Sequence, residues 1–186
     1  QRMTVCNMSI EGGARAGLIA PDETTFNYLR GRRYAPNESD LDKLIEFWKV
    51  NLKSDENVKF DRVENINVDN LAPQISWGTN PSMVVDITDS IPSPEQYAKS
   101  DENKRKLAMR ALEYMDLEAG TPMTDIHVDR VFIGSCTNSR LEDLMEASLV
   151  IKGRKVSTNV RAMVVPGSQK VKLQAEQIGL DKIFKD

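Results

Sequence analysis

The fold of this chain is decided by the stretch Val131-Phe-Ile-Gly-Ser-Cys-Thr-Asn-Ser-Arg140. Its apolar start, from Val131 to Ile133, predicts a short buried strand, and a polar loop follows from Gly134 to Asn138. Apolar residues at helical spacing come next, and Ser139 with Glu142 matches a capping box that would begin the helix. The sequence therefore places Cys136 in a turn between a strand and a helix.

Two interpretations fit a cysteine at this position. The free N–H groups and the dipole of a helix N-terminus favour a thiolate, which could act as a nucleophile or as a metal ligand. Free cysteine is also one of the most buried residue types, and it then serves only as a small apolar side chain. Spacing alone favours the buried interpretation, so the choice depends on the wider motif.

The order of elements repeats after this stretch. A β-rich run from Val160 to Val165 leads into Pro166-Gly-Ser168, and Ser168 can begin a last helix that extends to Ile178. Strand, helix, strand and helix from Val128 onward predict a βαβ unit with a parallel sheet.

The preceding sequence predicts mainly helices with short strands between them. Helices are expected from Asp22 to Leu29, after Asn37, after Ser93 and from Asp101 to Met115, and strands at 63–68 and 74–77, while residues 83–87 form an apolar run. Gly12, Gly13 and Gly17 suggest close backbone packing. Residues 118–125 contain Gly120 and Pro122 and predict a linker, so we expect domains at 1–122 and 123–186.

Composition narrows the class of protein. The chain has 186 residues, is 40% hydrophobic and 28% charged, and carries a net charge of −3, which gives no indication of a nucleic-acid partner. No apolar run approaches membrane-spanning length, and neither a signal peptide nor a membrane partner is predicted. The two cysteines, Cys6 and Cys136, are far apart, and the composition is typical of a cytoplasmic protein with reduced thiols. The chain starts at Gln1 and stops inside apparent structure, so we expect an internal piece of a longer protein.

The stretch around Cys136 closely resembles the signature of the aconitase superfamily. A second stretch, Met3 to Phe26, resembles the family of 3-isopropylmalate dehydratase (isopropylmalate isomerase) large subunits, and further matches include Trp77-Gly-Thr-Asn-Pro81 and Val165-Pro-Gly-Ser168. The resemblance implies an aconitase-like three-layer αβα fold of the α/β class with largely parallel sheets. This chain would be a central fragment that covers parts of two subdomains.

The same resemblance implies a cofactor and site residues. Cys136 matches one of three thiolates that hold a 4Fe–4S cluster in the family, and the other two are expected outside this sequence in a Cys-x-x-Cys motif. Cys6 does not match a ligand. Asn7 matches an asparagine near the cluster, and Glu11 matches an active-site glutamate that interacts with the hydroxyl or water on the exposed iron. His127 matches none of the family's histidines, so a structural role is expected.

The activity implied is a hydro-lyase that converts 2-isopropylmalate to 3-isopropylmalate through isopropylmaleate in leucine synthesis. The expected partners are a hydroxy-dicarboxylate substrate and a small subunit or swivelling C-terminal domain, without which this piece should be inactive. One alternative is a sister hydro-lyase such as homoaconitase. The other is a cluster-free scaffold or binding protein in which Cys136 is a buried thiol.

Overall fold

A computed structural model describes all residues, Gln1–Asp186. The helices are α1 (Arg2–Met8), α2 (Glu23–Leu29), α3 (Glu38–Asn51), α4 (Pro94–Ala98), α5 (Glu102–Met115), α6 (Leu141–Ile151), α7 (Gln169–Gln177) and α8 (Leu180–Lys185). The strands are β1 (Gln74–Ser76), β2 (Val84–Asp86), β3 (Arg130–Ile133) and β4 (Arg161–Val164). The predicted α/β class is confirmed.

Two compact units divide the chain, Gln1–Ile66 and Asn67–Asp186. The predicted boundary at residues 122–123 lies within the second unit, and it stays a prediction. None of the helices is both long enough and apolar enough to span a bilayer.

The first unit contains α1, α2 and α3. Side-chain caps begin two of these helices as predicted, since Asp22 accepts the N–H of Thr25 at 3.2 Å and Asn37 accepts the N–H of Asp40 at 3.0 Å. The core is small and consists of Phe26, Leu41 and Ile45, with Trp48 packed against it. Helix α1 was not predicted from the sequence.

The strand predicted at 63–68 is wrong. This segment has no regular structure, and its apolar side chains at 63, 66 and 68 are largely exposed. A strand requires a neighbour for its backbone hydrogen bonds, and no strand of the structure pairs with this segment. The segment contains β-branched apolar residues, but it has no strand to pair with.

The second unit begins with an antiparallel hairpin. β1 pairs with β2 in the register Gln74↔Asp86 to Ser76↔Val84. Helices α4 and α5 complete a core of buried apolar residues: Trp77, Met83, Ile91, Ala108, Ala111 and Met123. Both helices begin as predicted, because Ser93 forms a capping box with Gln96 and Asp101 accepts two backbone N–H groups of α5.

The segment predicted as a linker, 118–125, is tied to this core. The N–H of Ile91 donates to Thr121, the N–H of Gly120 donates to Ile91 at 2.7 Å, and that of Met123 donates to Asp89. Met123 is buried at the start of a short 3₁₀ turn, Met123–Asp125. Backbone pairing and one buried side chain therefore hold this segment in place, which the sequence did not predict.

The last part of the chain forms the predicted βαβ unit. β3 and β4 pair in parallel, from Arg130↔Arg161 to Ile133↔Val164, with α6 as the crossover between them. Helices α6, α7 and α8 pack around Leu144, Ala175 and Leu180. The parallel sheet predicted from the order of elements is confirmed.

Candidate functional site

Two loops meet at the carboxyl ends of the parallel strands. The cysteine loop, Gly134–Asn138, follows β3, and the proline–glycine loop, Val165–Ser168, follows β4. Parallel strands end at the same edge of a sheet, and α/β proteins commonly bind ligands outside that edge. The position of these loops marks this edge as the candidate site.

Two hydrogen bonds fix the cysteine loop from within. The N–H of Ser135 donates to Oγ of Ser139 at 2.6 Å, and the N–H of Asn138 donates to Oγ of Ser135 at 2.7 Å. These bonds satisfy backbone groups on both sides of Cys136 and Thr137. The loop is therefore held by serine hydroxyls, with Cys136 exposed and Thr137 half-buried between them.

The two loops are also bonded to each other. The N–H of Val165 donates to the carbonyl of Ile133, and the N–H of Gly167 donates to the carbonyl of Ser139, both at 2.9 Å. The approach is so close that a Cβ atom at Gly167 would lie 3.0 Å from the Ser139 carbonyl oxygen. A Cβ atom at Gly134 would lie 2.8 Å from the Val165 carbonyl oxygen. The two loops lie so close together that a side chain has no room at either position, which explains why both residues are glycine.

Cys136 is exposed at the tip of the cysteine loop. Its Sγ atom lies 3.7 Å from Oγ1 of Thr137, and the thiol is free. An exposed thiol beside small residues is accessible to a ligand that approaches from solvent. This exposure does not fit the interpretation of Cys136 as a buried apolar side chain. Cys136 fits the role of a single ligand to a cluster iron. No group of three or more Cys, His, Asp or Glu side chains in this chain could hold a metal by itself, so the other ligands of a cluster would have to come from elsewhere.

The predicted capping box of α6 is displaced by one residue. Ser139 does not cap the helix with Glu142; its hydroxyl accepts the N–H of Ser135. Arg140 is the N-cap residue, and its backbone N–H donates to the carboxylate of Asp143 at 3.0 Å. The strand-to-helix turn predicted for Cys136 is still observed, with α6 starting at Leu141.

Asn7 and Glu11 lie in the first unit, whereas Cys136 lies in the second. Asn7 is exposed near the end of α1, and Glu11 is exposed in the turn that follows. The turn is closed by a hydrogen bond of 2.8 Å from the Ser9 hydroxyl to the carbonyl of Cys6. The roles assigned to Asn7 and Glu11 remain predictions, as does the role of Cys136.

The glycine-rich segment supports this turn. A Cβ atom at Gly17 would overlap Oγ of Ser9 and lie 3.0 Å from the carbonyl oxygen of Cys6. Gly13 has a φ of +85°, which favours glycine, and its N–H donates to Ile10. The predicted close backbone packing is thus observed at Gly17.

His127 is exposed and lies before β3. Its Nε2 atom is 3.2 Å from Oδ1 of Asp129, which is also exposed. The geometry is that of a surface pair two residues apart, and the histidine is outside both loops of the candidate site.

The charged pairs with shifted pKa values lie at the surface of the molecule. Hydrogen bonds to Asp42 and then Glu38 raise the pKa of Arg30, and a hydrogen bond from Arg105 lowers the pKa of Glu102. Arg105 contacts both carboxylate oxygens of Glu102 at 2.8 Å, one turn earlier on α5. Shifted pKa values often mark reactive sites, but these exposed pairs are typical of solvated helices.

The Trp77-Gly-Thr-Asn-Pro stretch forms the hairpin loop between β1 and β2. Trp77 is buried, and the N–H of Trp77 donates to the carbonyl of Met83 at 3.0 Å. Beyond the stretch, the hydroxyl of Ser82 lies 2.9 Å from that of Tyr97, whose ring packs edge-on against Trp77. This stretch therefore stabilises the first core of the second unit.

The sequence did not identify Ser139 and Gly167 as partners. Their contact joins residues on different loops, so no local spacing contains it. The available signal was topological: the predicted parallel strands bring the residues that follow Ile133 and Val164 to one edge.

Comparison with family models gives one match over the whole chain. The model described as "Aconitase family (aconitate hydratase)" matches residues 1–186. The match includes both loops at the carboxyl edge and the segment that carries Asn7 and Glu11.

Proposed function

This chain belongs to the aconitase family, and from that premise we propose that it is part of a 4Fe–4S hydro-lyase that isomerises 2-isopropylmalate to 3-isopropylmalate. The family match supports a hydro-lyase of the aconitase superfamily. The choice of substrate is our inference from the stretch Met3 to Phe26, which resembles the large subunits of isopropylmalate isomerases. The intermediate would be isopropylmaleate, and the pathway would be leucine synthesis.

The observation that carries the proposal is the exposed thiol of Cys136 in a hydrogen-bonded loop at the carboxyl edge. Cys136 would hold one iron of the cluster, and the remaining thiolates would come from residues outside this sequence. When bound, such a cluster supplies a Lewis acid for dehydration chemistry.

The resemblance of the stretch Met3 to Phe26 assigns Asn7 and Glu11 roles in the same reaction through their polar side chains. The exposed carboxylate of Glu11 could orient the hydroxyl or water that is lost and gained, and it could accept or return the proton. The amide of Asn7 could donate to an oxygen of the substrate. These roles require a partner, either a small subunit or a swivelling C-terminal domain, and we expect this chain alone to be inactive.

Free thiols support a reducing location, so we propose a cytoplasmic enzyme. Among the alternatives, homoaconitase or another sister hydro-lyase would use the same scaffold with a different hydroxy acid. A cluster-free scaffold or binding protein would leave Cys136 without a ligand role.

The test uses the complete enzyme, purified without oxygen and reconstituted with iron and sulfide. With 2-isopropylmalate as substrate, the ultraviolet absorbance of the unsaturated intermediate should appear in the wild type and disappear in Cys136→Ser. Cys6→Ser is the matched control, because it also removes one thiol, and it should keep both cluster and turnover.

Two results would contradict the proposal at different levels. A cluster that turns over tricarboxylic hydroxy acids but not 2-isopropylmalate would favour a sister hydro-lyase. A wild-type protein that binds no cluster under these conditions would overturn the cluster role of Cys136.

A further inference from the structure

Ser139 is the most deeply buried polar residue near the candidate site. It is 1% exposed, although it lies between the cysteine loop and the start of α6. A buried hydroxyl is costly unless it is hydrogen-bonded, so its partners indicate why it is there.

The partners of Ser139 belong to both loops. Its hydroxyl accepts the N–H of Ser135 at 2.6 Å, within the cysteine loop. Its carbonyl accepts the N–H of Gly167 at 2.9 Å, in the proline–glycine loop. One residue therefore connects the loop that presents Cys136 with the neighbouring loop at the same edge.

The hydroxyl bond is the first of two bonds in series. Ser139 holds the N–H of Ser135, and the Oγ atom of Ser135 in turn accepts the N–H of Asn138 at 2.7 Å. Ser135 and Asn138 are exposed, so the buried member of this series is Ser139. Ordering of the loop should therefore depend on Ser139 more than on Ser135.

We propose that Ser139 is the positioning residue of the cysteine loop, fixing the backbone on both sides of Cys136 by bonding Ser135 through its hydroxyl and Gly167 through its carbonyl. The purpose of this positioning rests on the proposed function, since a ligand thiolate has to be presented in one geometry. The positioning itself is a property of this chain and does not require a bound cluster.

The test is amide hydrogen exchange, followed by NMR, on the 186-residue chain and its Ser139→Ala variant. Loss of the hydroxyl should accelerate exchange at Ser135 and Asn138 about fivefold or more, as expected for a lost intramolecular hydrogen bond. Amides of the β3–β4 ladder should keep their rates, because the sheet does not depend on this hydroxyl. If Ser139 only stabilised the fold in general, its loss would accelerate amide exchange throughout the unit instead.

Ser148→Ala is the matched control. Ser148 is also a buried serine, and its hydroxyl donates to the carbonyl of Met145 within α6 at 2.6 Å. The chemical change is identical, but exchange in the cysteine loop should not change.

A second variant covers the case in which Ser139→Ala does not fold. Ser135→Ala changes an exposed residue and should release the N–H of Asn138, while the N–H of Ser135 stays protected by Ser139. Loss of protection at both amides in that variant would overturn the proposal. So would unchanged exchange at Ser135 in a folded Ser139→Ala chain, or equal acceleration throughout the β3–β4 ladder. Failure to bind a cluster would contradict only the proposed function, because exchange is measured without one.

Discussion

Gly78 lies directly against the buried side chain of Met83 in the β1–β2 hairpin. A Cβ atom at Gly78 would overlap Sδ of Met83 and lie 2.8 Å from its Cβ atom, and Met83 is fully buried. We expect Gly78→Ala to lower the free energy of unfolding by about 1–3 kcal/mol, the usual cost of overpacking a core. Urea denaturation followed by tryptophan fluorescence measures the change.

Gly120→Ala is the control for backbone strain without overlap. Gly120 has a φ of +85° and no neighbouring atom within 4 Å of an added Cβ, so Gly120→Ala should lose about 1 kcal/mol of stability from strain alone.

A double variant tests whether the loss at Gly78 is steric. If it is, Gly78→Ala combined with Met83→Ala should cost less than the two single losses added together. Strict additivity would contradict the steric explanation.

Individual residues also show how far sequence reasoning extends. The caps at Asp22, Asn37 and Ser93 were predicted correctly, because a cap bonds a backbone N–H only three residues later. Ser139 matched the same pattern, but its hydroxyl bonds backward to Ser135. Local spacing identifies candidate caps, whereas competing partners in the folded chain decide which of them form.

At the level of elements, α5 ends on a strained and unfavourably charged residue. Asp116 caps its C-terminus in the left-handed conformation, with φ 52° and ψ 49°. Glycine adopts this conformation without strain, and a negative charge is unfavourable near a helix C-terminus. We expect Asp116→Gly to stabilise the protein by about 0.5–1 kcal/mol in urea denaturation.

Glu113→Gly serves as the opposite control on the same helix. Glu113 is exposed inside α5, where glycine costs about 1 kcal/mol relative to a good helix former. The two substitutions should therefore shift the denaturation midpoint in opposite directions. A destabilising Asp116→Gly would show that the aspartate makes a favourable interaction there.

The elements that sequence reasoning predicted well are those with strong local signals. Helices α2, α3, α5 and α7 have caps and apolar faces within their own sequence, and β3 and β4 follow from the βαβ order. The strand predicted at 63–68 failed because pairing is not local, and for the same reason the sequence did not show that the backbone of 118–125 bonds to residues 89–91. The candidate site followed the same rule: the strand-to-helix turn around Cys136 was predicted from local sequence, whereas the contact between Ser139 and Gly167 was not.

At the scale of the whole molecule, each compact unit contains one tryptophan. Trp48 belongs to the first unit and Trp77 to the second. The first unit has three buried core residues, whereas the second has two clusters of buried residues. Because buried apolar area sets stability, the first unit should unfold at a lower urea concentration.

Two single-tryptophan variants measure this difference. Trp48→Phe leaves fluorescence from Trp77 and reports the second unit, while Trp77→Phe leaves Trp48 and reports the first. The midpoint seen through Trp48 should be the lower of the two, and circular dichroism of each variant should contain both transitions. Identical midpoints by both probes would show that the chain unfolds as one cooperative unit.

The parallel pairing of β3 with β4 has a consequence for the order of folding. β1 and β2 are joined by a short hairpin, but Arg130 must find Arg161 about thirty residues later, so the entropy of closing that connection delays the pair. Synthesis proceeds from the N-terminus. Cys136 therefore leaves the ribosome before the partner of its loop exists, and it acquires its final geometry only after Gly167 has been synthesised and has reached the carbonyl of Ser139.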